Sequence, residues 1–201
     1  MSGRLIYVMG PSGAGKDSVL SCLRERLAAN GRIHWARRTI TRAAAAGGED
    51  HEAVTPDVFD ALQAQGVFAM AWRAHGLGYG VRREQLKWLE LGDWVFVNGS
   101  REYLATALRM YPSLTPVHVT VSPATLLLRL TARQRETLDQ VRARLAHAAT
   151  FAPPPGTLEI HNESTLEDAC SRLLGALGTL EGSRFSPVAS VSASASPAPS
   201  A

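Results

Sequence analysis

Lysine is almost missing from this chain of 201 residues: 21 are Lys or Arg, and only Lys16 and Lys87 are lysine. With a net charge of +3 and no block of clustered basic residues, the pattern gives no sign of a nucleic-acid-binding arm. The arginine excess suits bidentate phosphate recognition, and a coding bias towards GC explains it equally well. Cysteine is scarce too. Cys22 and Cys170 are the only two, which excludes a disulfide framework and a cysteine metal cluster and reads as buried thiols of a reducing cytosol. No apolar run is long enough to span a bilayer, and the stretch before Arg4 leaves no room for a signal peptide, so a cytoplasmic protein is expected. His34, His51, His118, His147 and His161 lack metal-ligand spacing, His51 being the least settled of them. What remains, 45% hydrophobic and 19% charged residues, describes a globular chain with room for one proper core.

The informative stretch is Gly-Pro-Ser-Gly-Ala-Gly-Lys-Asp at residues 10–17, directly after the apolar run Leu5–Met9. This reads as a phosphate-binding loop between a strand and a helix. Glycines let several backbone N–H groups turn inward on an anion, the helix N-terminus adds partial positive charge, and Lys16 reaches the β/γ-phosphates as a point charge. The loop residues Gly10, Pro11, Ser12, Gly13, Ala14, Gly15, Lys16, Asp17 and Ser18 are therefore expected to hold ATP. Asp17 stands where such loops normally carry the Ser or Thr whose hydroxyl binds Mg²⁺. A carboxylate also binds that hard cation, directly or through water.

Strand and helix patterns alternate along the chain, which predicts an α/β fold with a parallel sheet. Strands are expected at about 4–9, 67–72, 93–98, 115–121 and 157–161. Helices are expected at about 15–29, 55–65, 82–91, 100–110, 123–131, 137–150 and 165–181. Residues 33–42 look strand-like, 43–48 small and flexible, and 76–80 a turn. Residues 183–201, rich in Ser, Ala and Pro, are expected to be a disordered tail, leaving one domain over 1–182.

Three further groups carry charge or turn chemistry. Arg129, Arg133, Arg135, Arg142 and Arg144 outnumber Glu136 and Asp139 in their stretch. They read equally as guanidiniums closing over a transferring phosphoryl group and as a solvated helix face. Arg37, Arg38 and Arg42 lie near a strand end, where 38 and 42 share a face and either converge on a phosphate or carry ordinary surface charge. His75-Gly76-Leu77-Gly78-Tyr79-Gly80 is either a plain hairpin turn or a backbone approach to a ligand with Tyr79 as donor.

The order of these motifs resembles the guanylate kinase family: the loop at 10–17, Thr-x-Thr-Arg at 39–42, Gly48-Glu49, Tyr79-Gly80, Arg-Leu-x-x-Arg at 129–133 and Asn162. The resemblance covers about residues 3–180. It implies a three-layer nucleoside-monophosphate-kinase-like fold with a parallel central sheet, an acceptor-binding region at about 33–90 and a lid at about 130–140. It also places Arg42 on an acceptor phosphate, Arg133 and Arg144 on the ATP phosphates as catalytic arginines beside Lys16, and Arg129 and Asn162 near the ATP site. Guanine-reading acids are missing, however. Val67–Trp72 has no acid, Phe96-Val97-Asn98 replaces an Asp-x-Asp strand, a second phosphate arginine falls on Ala45, and the expected Tyr is replaced within His51-Glu52. A donor-rich base without its acceptors binds poorly, so GMP is a poor acceptor.

A closer resemblance is to the ribose 1,5-bisphosphate phosphokinase family, carried by Gly-Lys-Asp-Ser, Ile-Thr-Arg, Glu-Asp-His, Trp-x-Ala-His-Gly-Leu-x-Tyr-Gly-Val and Val-Asn-Gly-Ser-Arg in this order. It implies transfer of the ATP γ-phosphoryl group to ribose 1,5-bisphosphate with Mg²⁺, giving 5-phosphoribosyl 1-diphosphate, within phosphonate catabolism. Arg38, Arg42, Arg73, His75, Tyr79 and Arg101 are then the candidates for the acceptor phosphates and sugar, with Asn98 and Ser100 for ribose hydroxyls. Asp17 and Asn98 together suggest that the carboxylate supporting Mg²⁺ has moved from strand to loop. The implied partner is a small sugar bisphosphate, with no nucleic acid and no membrane, and a monomer or a homodimer. The alternative is a kinase of a nucleoside monophosphate or another small phosphometabolite.

Overall fold

The computed structural model describes residues 3–44, 49–132 and 138–180. Its centre is β1 (Arg4–Met9), flanked by β7 (Trp94–Asn98) and β8 (Thr115–Thr120), with β2 (Ile33–Trp35) and β9 (Leu158–His161) at the edges. The strand order is β2-β7-β1-β8-β9, and every pairing is parallel. Parallel sheets are covered on both faces, and β1 shows how the sequence meets that demand. Ile6 and Val8 face one layer, where helices α1 (Lys16–Arg26), α4 (Pro123–Ala132) and α6 (Leu166–Leu180) contribute Val19, Leu23, Leu126, Leu130, Leu173 and Leu177. Leu5, Tyr7 and Met9 face the other, packed with Met70, Leu86, Leu104 and Leu114. The period of two along the strand thus makes two cores from one apolar run.

A second, smaller sheet has the order β4-β3-β6-β5. It is built from β3 (Arg38–Ile40), β4 (His51–Ala53), β5 (Phe68–Ala74) and β6 (Leu77–Arg82). β5 and β6 form an antiparallel hairpin, β6 pairs antiparallel with β3, and β3 runs parallel to β4. Helix α2 (Pro56–Ala64) starts where Thr55 accepts from the Val58 N–H at 3.3 Å and Pro56 occupies the first turn, a stabilised start.

The expected parallel α/β sheet is therefore what folds, with local differences. The turn expected at 76–80 is tighter: Ala74 pairs with Leu77, and His75 and Gly76 alone make the turn, both at positive φ (51° and 75°). Positive φ at both central residues matches the strand twist, so Tyr79 and Gly80 belong to β6. The helix expected at 82–91 is a 3-10 helix at Arg83–Leu89, and that at 100–110 is shortened to α3 (Leu104–Met110). Helix α5 spans Leu138–Ala149. β2 joins the large sheet, so the small sheet begins only at Arg38. The tail at 183–201, Arg133 and the central part of the expected lid lie outside the described residues, as do Arg135, Glu136, Ala45 and Gly48. No helix among the described residues is long and apolar enough to cross a membrane.

Candidate active site

A cleft of about 1000 Å³ opens between the end of β1 and the small sheet. Its floor is the loop at 10–17. Gly15 adopts φ 83° immediately before α1, and no side chain caps that helix. Its first N–H groups are therefore left for a ligand. A Cβ on Gly15 would lie 2.4 Å from the Asn162 amide nitrogen, so only glycine fits.

The loop is held from behind. Asn162, 5% exposed, donates to the Ala14 carbonyl at 2.8 Å. Arg129 donates to the same carbonyl at 3.3 Å and to the Asn162 carbonyl at 2.9 Å. Ala14 is buried. None of these three lines the cleft, so Arg129 and Asn162 shape the loop, with their hydrogen bonds directed at its backbone.

A chain of polar contacts crosses the cleft. Lys16 Nζ lies 3.1 Å from Asp17 Oδ1. The Asn98 amide donates to Asp17 Oδ1 at 2.9 Å and to Glu49 Oε2 at 3.0 Å. Arg38 closes the chain by gripping Glu49 with both Nε and Nη2. Burial pushes the Asp17 carboxyl up, but the Lys16 ammonium, the hydrogen bonds from Asn98 and Lys16, and Arg38 outweigh it and hold it below its ordinary value. Asp17 therefore stays ionised. Asn98 is buried, and its Oδ1 has no partner among the described residues.

The remaining candidates separate. Arg38, Arg42, His75, Tyr79, Ser100, Arg101 and Arg144 all line the cleft, together with Gly10, Pro11, Ser12, Gly13, Lys16 and Ser18. Arg38 is 7% exposed, with its fork occupied by Glu49 and its guanidinium over the rings of Tyr79 (5.0 Å) and Trp72 (5.9 Å). It organises the wall more than it offers free donors. Arg42 is the opposite case: its Nε and Nη2 are buried and meet no partner among the described residues. Buried donors of a guanidinium call for an anion. The Arg101 side chain is 7% exposed; burial lowers its pKa, and it lies over Phe151 at 5.4 Å. Arg73 does not line the cleft. It pairs with Asp60 over Phe59 on the outer side of the hairpin, because alternation along β5 sends it away from the Trp72 face. Asn98 reaches the site only through Asp17 and Glu49.

The sequence places Glu49 and Trp72 within motifs of the resemblance, but neither was given a catalytic or binding role. The Gly48-Glu49 motif pointed to Glu49, but that Arg38 and Asn98 converge on it is visible only in the fold. Trp72 stacks on Tyr79 and on Tyr103 (ring centroids 5.6 and 5.4 Å), and its alternation along β5 was the available signal. Ser100 is placed from below. The Tyr7 hydroxyl donates to the Ser100 carbonyl at 3.0 Å and accepts from its N–H at 2.9 Å.

The donor set suits a hard cation next to phosphate: an ionised Asp17 carboxylate lies beside the loop and lines the cleft, and an oxygen ligand of this kind suits Mg²⁺. Among the described residues there is no cluster of three or more His, Cys, Asp or Glu that would cage a metal without help from a substrate.

No protein-family profile matches the chain. A "Ribose 1,5-bisphosphate phosphokinase PhnN" from Thiobacillus denitrificans is 49% identical over 183 residues, covering 90% of this chain and 96% of that protein. The protein of the same description from Pseudomonas paraeruginosa is 51% identical over 180 residues, 89% of this chain and 97% of its own length. Among solved structures, guanylate kinase from Anaplasma phagocytophilum superposes with a TM-score of 0.67 over 94% of this chain and 91% of that one, at 20% identity, which establishes the shared fold. Identity at this level over nearly the full length of both relatives shows that the chain belongs to the ribose 1,5-bisphosphate phosphokinase family.

Proposed function

We propose that this protein transfers the γ-phosphoryl group of ATP to the 1-phosphate of ribose 1,5-bisphosphate, yielding 5-phosphoribosyl 1-diphosphate and ADP in phosphonate catabolism. One observation carries the reading: a single cleft holds both the Lys16 phosphate loop and the buried guanidinium donors of Arg42, which meet no partner among the described residues. A donor site for a triphosphate and a receptor for a second phosphate thus face each other.

The attacking atom is a phosphate oxygen, already ionised at neutral pH, so the reaction needs no general base. Catalysis is positioning and charge neutralisation. The N–H groups of residues 13–18 and Lys16 hold the ATP phosphates. Arg42 takes an acceptor phosphate, with Arg101 and Ser100 beside it. Tyr79 and Trp72 supply an aromatic wall against which the sugar lies, and His75 sits at the rim. Arg144, on α5, faces the transferring group, and Arg133 is assigned the same task by resemblance. Asp17 is the residue that would hold Mg²⁺, directly or through water, and a cation held there would offset phosphate charge. Asn98 keeps Asp17 and Glu49 apart and aims both.

The test is ADP release from Mg-ATP with ribose 1,5-bisphosphate, run beside GMP. Turnover with the sugar bisphosphate alone is expected. Turnover with GMP alone would mean that guanine is read by other groups and would refute the assignment.

A further inference from the structure

His51 takes no part in the chemistry described so far, yet it is 4% exposed and both of its ring nitrogens are engaged. Nδ1 lies 3.0 Å from the Glu49 carbonyl oxygen, and Nε2 lies 3.1 Å from the Arg42 carbonyl oxygen. The ring therefore spans the two ends of the connection between β3 and β4. A neutral imidazole donates to one of these carbonyls, and a doubly protonated ring donates to both.

The two residues it grips by the backbone are those whose side chains do most in the acceptor half of the cleft. Arg42 offers Nε and Nη2, which have no partner among the described residues. Glu49 receives Arg38 and Asn98. His51 is itself fixed in β4, opposite Arg38 of β3, and its carbonyl accepts from Arg37 Nη2 at 3.2 Å. A rigid strand residue thus sets the spacing between a phosphate-binding cation and the carboxylate that organises the opposite wall.

We infer that His51 is a positioning residue for the acceptor phosphate: by holding the Arg42 and Glu49 backbones at fixed separation, it aims the Arg42 guanidinium into the cleft. The inference rests on the proposed function, since it takes the acceptor to be ribose 1,5-bisphosphate. A merely structural histidine would lower stability and all kinetic constants without preference. A positioning histidine acts on one substrate and acts through Arg42.

The experiment is a double-mutant cycle on the full chain. Initial rates are measured with Mg-ATP and ribose 1,5-bisphosphate for wild type, His51→Ala, Arg42→Ala and the double variant, with His51→Gln as the conservative replacement. His51→Ala is expected to raise the acceptor KM about tenfold while kcat and the Mg-ATP KM stay within about twofold. In the Arg42→Ala background the same change should alter the acceptor KM by less than about twofold. His51→Gln, whose amide can still donate to a carbonyl, should recover part of the loss. An unchanged acceptor KM overturns the inference, as does a joint rise of both KM values or a full His51→Ala effect without Arg42. Failure of both His51 variants to fold, read by circular dichroism, overturns it as well, because His51 would then be a residue of the fold. Absence of turnover by the wild type refutes the proposed function instead, and with it the acceptor this inference presumes.

Discussion

Asn98→Asp is the substitution on which the reading of the polar chain can be broken. The Asn98 amide nitrogen lies 2.9 Å from an Asp17 oxygen and 3.0 Å from a Glu49 oxygen. Aspartate replaces that shared donor by an oxygen and sets a third carboxylate against two others. At an effective dielectric of ~20, two like charges ~3 Å apart repel by about 5 kcal/mol. The contacts are not equivalent: the Asp17 side chain is 54% exposed and the Glu49 side chain 17%. Solvent therefore screens the first, and Glu49 dominates. Rotation and proton uptake relieve part of the repulsion, so a destabilisation of about 3 kcal/mol at neutral pH is expected, including the lost hydrogen bonds. The sign with pH follows. The new carboxyl has a folded-state pKa raised above its unfolded value by its neighbours. Its penalty is absent below the unfolded value, near ~4, and develops as pH rises through the folded one. Urea denaturation of wild type and variant at pH 4.5 and pH 7.5, without divalent cations, should show a larger gap at pH 7.5. A gap below ~1 kcal/mol at pH 7.5, or an equal gap at both, would refute the idea that the Asn98 amide separates the Asp17 and Glu49 carboxyl groups.

Three other changes test neighbouring claims. Asp17→Ser should shift the Mg²⁺ concentration needed for half-maximal activity, and an unchanged Mg²⁺ titration would remove the carboxylate from cation binding. Tyr7→Phe leaves volume intact but strips both Ser100 backbone contacts, so it should cost roughly 1–3 kcal/mol in urea denaturation. Arg73→Ala should leave kcat and both KM values within about twofold in steady-state assays, since that side chain pairs with Asp60 away from the cleft.

The phosphate loop and the parallel sheet were legible because local signals suffice for them: an apolar run of period two, glycines at the loop, and a helix pattern after Lys16. β4 was not legible. Three residues, His51–Ala53, form a strand only because β3 offers a parallel partner across the intervening connection, and such non-local pairing leaves no pattern in a single segment. The same limit governs the site. Lys16, Arg42 and Arg144 could be named from charge and resemblance. That Arg38 is bound by Glu49, that Asn98 bridges two carboxylates and that Arg73 points away depend on which strand face meets which neighbour. Arg129 and Asn162 were expected near ATP from resemblance; that what they hold is the Ala14 carbonyl depends on how the last strand and helix α4 meet the loop.

That last contact has a bearing on synthesis. The loop motif is complete once residue 17 leaves the ribosome, yet the donors that fix its backbone come from Arg129 and Asn162, 115 and 148 residues away from Ala14. β8, which lies between β1 and the strand that precedes Asn162, is likewise made late. A nascent chain therefore carries the signature of a nucleotide-binding protein long before it has the shape of one. On the proposed function, a triphosphate that binds only the finished arrangement would favour completed folding by mass action, and its capture would report that the last strand has docked.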